Sequence, residues 1–188
     1  MSGQLKKMGE SNEISYQALV SSQRAFVFFS PETKQFYLTD KEGSTNIASW
    51  EFFIPIKNSG STPAKNLKNH VFVESLPQII TSDFNFHDLE NGEPATANPQ
   101  DTTFYQTKSV PKNTLADTKT GTTHLYIYGW ATYNDVFKGT PQRMTKFCYE
   151  MHAILGDFRD ARGDKETRAT LCAIHNCADD DCKAQNPN

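Results

Sequence analysis

Apolar and polar residues alternate with period two along much of this chain, and clusters of turn-forming residues interrupt the alternation at short intervals. Ala25-Phe26-Val27-Phe28-Phe29 is an aromatic, β-branched run stopped by Ser30-Pro31-Glu32. Gln35 to Thr39 predicts a second strand, ended by Asp40-Lys41-Glu42-Gly43. Ala48 to Lys57 predicts a third, with Trp50, Phe52, Ile54 and Ile56 on one face and Glu51, Phe53, Pro55 and Lys57 on the other. Pro55 cannot donate to a ladder, so this strand is expected at an edge or at a bulge. The cluster Asn58-Ser59-Gly60-Ser61-Thr62-Pro63-Ala64 then turns the chain into a strand over Lys65 to Leu76, which predicts a hairpin or a corner between two sheets.

Four prolines and many Thr and Asn punctuate 77–122, leaving apolar islands at Ile79-Ile80, Phe84 to Phe86 and Phe104-Tyr105. A structureless stretch of that length is abnormal in a compact domain, so one or two short strands are expected in it. Thr123 to Phe137 carries the clearest strand pattern. Leu125, Ile127, Gly129, Ala131 and Tyr133 line one face and His124, Tyr126, Tyr128, Trp130 and Thr132 the other. Neither face is simply polar, which predicts a central position. Gln142 to Ala153 is expected to return antiparallel, and Gly156 to Arg168 to form a charged loop or short helix. Thr170 to Ile174 is expected to add a last strand, and the chain beyond Asp179 to fray. Before Arg24, a polar lead-in and one short helix are expected, capped by Ser11 or Asn12 and too weakly striped to stand alone.

Strands that follow one another through short turns, without long amphipathic helices between them, imply antiparallel sheets. The expected fold is mainly β, an immunoglobulin-like antiparallel β-sandwich over 24–178, preceded by the lead-in and helix of 1–23 and followed by a disordered tail over 179–188. Thirteen Phe, seven Tyr and two Trp among 188 residues give ample material for a core and exclude wholesale disorder. A net charge of −3, from 19 basic and 22 acidic side chains, lacks the clustered basic excess of a nucleic-acid binder. No stretch approaches the ~20 apolar residues that span a bilayer, and no signal-peptide pattern opens the chain.

The corner Ile56-Lys57-Asn58-Ser59-Gly60-Ser61-Thr62-Pro63-Ala64-Lys65-Asn66-Leu67 resembles that of bacterial immunoglobulin-like sandwich domains. The chain looks more specifically like a group of uncharacterised bacterial proteins, often tethered by an N-terminal transmembrane helix. Arg24-Ala25-Phe26-Val27 matches their first strand, and Tyr128-Gly129, Tyr133, Asp135, Phe137 and Phe147-Cys148-Tyr149 match their late hairpin. His175-Asn176-Cys177-Ala178-Asp179 matches their C-terminal motif. The likeness covers about 18–180. It implies a fold, with Asn58, Gly60, Thr62, Pro63 and Ala64 as a structural turn, and brings no catalytic residue with it. Any membrane association would run through a tether that this chain lacks.

Few residues suggest chemistry. Cys172, His175, Cys177 and Cys182 offer four zinc-type donors, but their spacing fits no two-knuckle site. Disulfides are the competing reading, with Cys148 able to meet one of the three C-terminal cysteines, and free thiols are a third. Tyr126, Tyr128 and Trp130, with His124, form a recognition face if exposed and core if covered. Arg162-Gly163-Asp164 and Asp179-Asp180-Asp181 read as solvated charge. No nucleophile elbow, metalloprotease helix, P-loop, dinucleotide fingerprint or EF-hand occurs. The expected function is a non-enzymatic module for protein interaction or envelope structure, needing no cofactor, with another protein as partner and an extracytoplasmic setting favoured over the cytoplasm. The alternative is a small-molecule or metal-binding domain ordered by the Cys/His cluster. An enzyme with a site built from loops 77–122 and 156–168 is a third reading.

Overall fold

The computed structural model describes residues 2–30, 32–86, 94–155, 160–162 and 166–184. It is mainly β, with two antiparallel sheets and three helices among the described residues. The chain runs through α1 (Ser2–Gln23), β1 (Val27–Phe29), β2 (Lys34–Thr39), β3 (Ile47–Asn58), β4 (Ala64–Leu76), β5 (Ala95–Ala97), β6 (Thr102–Gln106) and β7 (Val110–Pro111). It continues through α2 (Lys112–Lys119), β8 (His124–Asn134), β9 (Arg143–Leu155), β10 (Glu166–Leu171), β11 (Cys177–Ala178) and α3 (Asp180–Ala184).

The smaller sheet is organised on β3. β1 and β2 lie end to end along one edge of it, and β6 and β7 lie end to end along the other. β3 is therefore central, which corrects the expectation that Pro55 marks an edge. The Pro55 carbonyl accepts from the Ser30 amide at 2.9 Å, so this residue's bonding side faces the break between β1 and β2. The N–H that proline lacks would have pointed into that break, where no ladder bond is lost. The larger sheet has the order β10-β9-β8-β4-β5, with β11 also pairing β9. β8 sits between β4 and β9, as its two apolar faces require.

The sheets meet across one core. Trp50, Phe52, Ile54 and Ile56 of β3 pack with Val71, Leu125, Ile127, Ala131, Tyr133, Phe147, Tyr149 and Met151 of the large sheet. Hydroxyls from the large sheet also reach the short strand β1. Val27 N–H donates to Tyr133 Oη at 3.3 Å, Thr145 Oγ1 donates to the Val27 carbonyl at 2.7 Å, and Tyr149 Oη donates to the Phe29 carbonyl at 3.4 Å. Gly129 makes the packing possible. A Cβ there would lie 2.2 Å from the His70 carbonyl oxygen and 2.8 Å from the Phe147 ring, which stacks on Phe29 at 4.0 Å.

β3 and β4 belong to different sheets, so the turn cluster is a corner and not a hairpin. The buried Asn58 carboxamide organises it. Its Oδ1 accepts from Phe26 N (3.1 Å) and Gly60 N (3.0 Å), and its Nδ2 donates to the carbonyls of Thr62 (2.9 Å), Ala97 (3.1 Å) and Asn98 (3.2 Å). Gly60 lies against the backbone of 24–26, where a Cβ would meet the Arg24 carbonyl at 2.2 Å. Thr62 Oγ1 donates to the Gln23 carbonyl at 2.8 Å and so closes the end of α1. Pro63 leads out of the corner into Ala64, which is fully buried and pairs with Ala97.

The irregular regions differ most from expectation. α1 covers nearly all of the expected lead-in, although Val20 is its only buried residue among those described. It docks through Tyr16, whose hydroxyl donates to the Lys138 carbonyl at 3.0 Å and whose ring meets Phe137 edge-on. The stretch 77–122 holds β5, β6, β7 and the unforeseen α2, which buries only Leu115 and hence has no stripe to read. The tail expected to fray from 179 is folded through 184, with α3 and a buried Cys182. No described helix is long and apolar enough to cross a membrane.

Gly129→Ala is expected to cost about 3 kcal/mol, because neither the His70 carbonyl nor the wedged Phe147 ring can retreat without unpacking the core. Denaturant unfolding measures it directly, and a midpoint equal to that of the parent protein would refute the packing argument.

Candidate functional site

The outward faces of the two sheets are treated differently. On the large sheet, Tyr126, Tyr128 and Trp130 of β8 point away from the shared core but are no more than 2% exposed. A second apolar cluster covers them, built from Phe72, Leu76, Ile80, Phe84, Phe86, Cys148 and Cys172. Phe84 and Phe86 each meet the Tyr128 ring edge-on at 5.1 Å, while Phe72 stacks on it at 5.1 Å. The Ile80 amide donates to Tyr126 Oη at 3.3 Å. Reading Tyr126, Tyr128 and Trp130 as an exposed recognition face is thus corrected. They are core, and their cover is the 77–86 segment instead of the second sheet. The signal for this cover lay in the apolar islands Ile79-Ile80 and Phe84 to Phe86.

Burial governs the ionisable groups at this face and across the core. Desolvation pushes the Tyr126, Tyr128, Tyr133 and Tyr149 phenols up, Tyr149 to about 12. It pushes the Lys146 amine down, and that ammonium lies 5.1 Å from the Phe86 ring centroid. His175 is buried beside Phe86, and its Nε2 is 2.9 Å from the Thr81 carbonyl. That contact ties the C-terminal segment to the 77–86 cover.

The cysteines pair within this region. Cys148 on β9 is bonded to Cys172 just after β10, with Cα atoms 5.4 Å apart, and Cys177 is bonded to Cys182. With all four thiols in disulfides, none of Cys148, Cys172, Cys177 and Cys182 is left as a thiolate for zinc, and His175 is held by a carbonyl. Among the described residues, no three His, Cys, Asp or Glu side chains converge as a metal cage. Asn176, not singled out from the sequence, clamps the strands beside the first bridge. Its Oδ1 accepts from Cys148 N at 3.0 Å and its Nδ2 donates to the Cys172 carbonyl at 2.9 Å.

Asp179 has a role that its place in a run of three aspartates hid. It pairs with Arg24 at 2.5 Å and approaches Arg143 at 3.6 Å, and Arg143 bonds the buried Asp135 at 3.0 Å. Burial alone would lower the Arg24 guanidinium, but the Asp179 carboxylate outweighs it and raises the group further. Pro141, Gln142, Arg143, Met144, Asp179 and Asp180 line a cavity of about 160 Å³ beside these charges. That is well below the ~300 Å³ at which ligand pockets begin. Of the Arg162-Gly163-Asp164 loop, only Arg162 is described, forked onto Asp160. Of the expected charged loop or short helix over 156–168, residues 156–159 and 163–165 lie outside the described residues, and 166–168 are corrected to the start of β10, which pairs with β9.

The small sheet presents the opposite picture. The register places Phe28, Lys34, Phe36, Leu38, Glu51, Phe53, Lys57 and Phe104 on its outward face. Phe36 is 52% exposed, Leu38 49% and Phe104 47%. Phe36 meets Phe53 at 4.7 Å, and the Lys34 ammonium lies 5.4 Å from the Phe104 centroid. Polar contacts frame these rings, with Gln106 donating to Glu51 at 2.7 Å and Lys57 to Glu32 at 3.0 Å. This arrangement, apolar rings within a polar rim on an outward sheet face, is suited to contact with another surface, and among the described residues no convergent acid–base set stands on it.

No family model matches the chain, and neither a curated protein nor a solved structure matches it.

Removing the Cys148–Cys172 bridge by double substitution to Ala is expected to cost about 3.5 kcal/mol, against about 2 kcal/mol for Cys177–Cys182, since the first closes the longer loop. Loss of the first bridge should also shift Trp130 fluorescence to the red as the cover loosens. Equal costs, or the reverse order, would contradict this. Alkaline pH supplies a second expectation. Folded phenols raised above the ordinary value near 10 keep protons that an unfolded chain releases. Stability is therefore intact below about pH 10 and falls as pH rises through about 12, the Tyr149 value. Ionisation of Tyr149, followed by its own ring signals in NMR, and loss of circular dichroism should occur together there, and a Tyr149 phenolate formed well below that range in fully folded protein would contradict burial as the cause.

Proposed function

We propose that this chain is a non-enzymatic β-sandwich module, immunoglobulin-like in architecture, that binds another protein through the outward face of its small sheet. The observation that carries the reading is the contrast between the two outward faces. The chain spends a ten-residue segment, the Cys148–Cys172 disulfide and a buried histidine on covering the aromatic face of the large sheet. It leaves Phe36, Leu38 and Phe104 exposed on the small one. Exposed rings of this kind contribute most to binding when a partner excludes water from them, and the surrounding Lys34, Glu51, Lys57 and Gln106 provide the polar rim.

Two disulfides and no free cysteine support a compartment that keeps thiols oxidised, outside the cytosol. The resemblance to a group of uncharacterised, often membrane-tethered bacterial proteins points the same way, and a binding module there needs no cofactor. The reading as a small-molecule or metal-binding domain ordered by the Cys/His cluster loses its donors to the disulfides.

A photo-crosslinking residue placed at position 36 or 104, with Gln142 at the far hairpin as control, tests the assignment in the cells that make the protein. The expected outcome is one shared protein adduct from 36 and 104 and none from 142. The double substitution Phe36→Asp and Phe104→Asp should abolish partner capture while leaving the thermal midpoint within a few degrees. Equal adducts from position 142, or no adduct from folded protein, would remove the interface from this face.

A further inference from the structure

We propose that the Cys177–Cys182 disulfide is a reducible latch that sets the docking of α1, acting through the Asp179 carboxylate inside its loop. The bridge closes Cys177-Ala178-Asp179-Asp180-Asp181-Cys182, two cysteines separated by 5 positions in sequence. Asp179 has φ 52°, a left-handed backbone that a residue with a Cβ keeps only when its surroundings hold it there. Those surroundings are the closed loop and β9. The Asp179 amide donates to the Met144 carbonyl at 2.7 Å, and the Met144 amide donates to Asp179 Oδ1 at 3.4 Å. The Cys182 amide donates to the Asp179 carbonyl at 3.1 Å. So held, Asp179 Oδ2 faces Arg24 at 2.5 Å and Arg143 at 3.6 Å.

Arg24 is the joint between α1 and β1. Its amide closes the end of α1 on the Val20 carbonyl at 2.9 Å, and Val20 is the one buried side chain among those described in that helix. A helix that buries so little depends on polar ties, here Arg24 to Asp179, Tyr16 to the Lys138 carbonyl and Thr62 to the Gln23 carbonyl.

The two bridges differ in what the fold keeps when they open. The Cys172 amide donates to the Cys148 carbonyl at 2.9 Å, Asn176 clamps both segments, and Cys148 is fully buried. Those two thiols stay adjacent after reduction, so they reclose readily. Cys177 and Cys182 stand on a two-residue strand and a five-residue helix. Cys182 is buried and Cys177 half-buried, so an incoming thiolate reaches the Cys177 Sγ. The thiolate of a dithiol reductant bonds to that sulfur, the S–S bond breaks, and Cys182 leaves as a thiolate that takes a proton. The reductant's second thiolate then displaces Cys177, so the reductant ends as a disulfide and the chain gains two electrons and two protons. The loop loses its closure, Asp179 leaves its left-handed conformation, and α1 loses its tie at Arg24.

The latch shares no residue with the small-sheet face. Its test is stepwise reduction of the full, disulfide-intact chain with dithiothreitol, read by alkylation mapping and by hydrogen exchange with mass spectrometry. Cys177 and Cys182 are expected to become alkylated at a reductant level about tenfold below that which opens Cys148–Cys172. In that half-reduced state, amide exchange over 13–24 should rise about tenfold while β3 and β8 keep their protection. Glutathione should form its mixed disulfide at Cys177. With the bridge closed, Asp179→Asn keeps the left-handed preference, removes the charge and should by itself speed exchange over 13–24. Glu32→Gln, which breaks the exposed pair with Lys57, should not. The proposal is overturned if Cys148–Cys172 opens first, if glutathione lands on Cys182, or if exchange over 13–24 is unchanged in the half-reduced chain or in Asp179→Asn. Reduction of the parent protein needs no substitution, so a variant that fails to fold does not decide the outcome.

Discussion

One buried carboxamide fixes how the two sheets meet. Asn58 ends the central strand of the small sheet and uses both Oδ1 and Nδ2 on backbone partners just before β1, in the corner and in the β5 segment. Inside a protein such a network stabilises only when every member is satisfied, since a stranded amide there costs roughly 1–3 kcal/mol. Aspartate at this position would turn an anion toward three carbonyls, and leucine would strand two amides. The requirement spreads outward. Gly60 must lack a side chain because Asn58 pulls the corner onto residues 24–26, and Thr62 reaches the end of α1 only from that position. β1 is three residues long and cannot hold itself, so Tyr133, Thr145 and Tyr149 bond its backbone from across the core. A β-sheet packing mostly by apolar contact is thus given its alignment by a few polar groups.

Breadth explains the covering of the large sheet. β8 is flanked on both sides and carries large apolar groups on both faces, so the second face has to be removed from water as well. A third layer of regular structure would need a pattern that 77–86 lacks. The chain instead lays down a few rings and pins them with Ile80 to Tyr126, His175 to Thr81, and the bridge from Cys148 to Cys172. Long irregular segments have little cooperativity of their own, and covalent closure limits the unfolded alternatives. The Cys148–Cys172 bridge and the aromatic cover are therefore parts of one solution.

What could be read from the sequence follows from this division. β3, β4, β8 and β9 were legible because alternation over ten or more residues leaves little freedom in which side faces inward. The Asn58 corner was legible through Asn, Gly and Pro, whose backbone preferences are local. The destination of β8's second face was not, because alternation reports that a face is apolar and never what lies over it. Pro55 misled because its cost depends on a break in the neighbouring edge, which is a tertiary property. α2 and α3 escaped notice since each is short and rests on a single well-buried residue, Leu115 or Cys182. Asp179 was hidden inside an acidic run, and its pairing with Arg24 spans most of the chain. The exposed phenylalanines were visible as residues, but their exposure depends on nothing crossing that face.

A single strand carries the covered core out to the solvent margin. The outward side of β8 runs from Trp130 and Tyr128, under the cover, through Tyr126 at its margin to His124 at the surface. The Tyr126 hydroxyl holds the Ile80 amide, and its ring stacks on His124 at 6.1 Å. Glu150 bonds His124 and also faces Tyr126 across the ladder, where its charge adds to the burial that keeps the phenol protonated. The small-sheet face shares none of these residues and lies beyond the whole thickness of the shared core. The exposed rings and polar rim of that face are accordingly set apart from the margin of the cover, where the Glu150 carboxylate bonds His124.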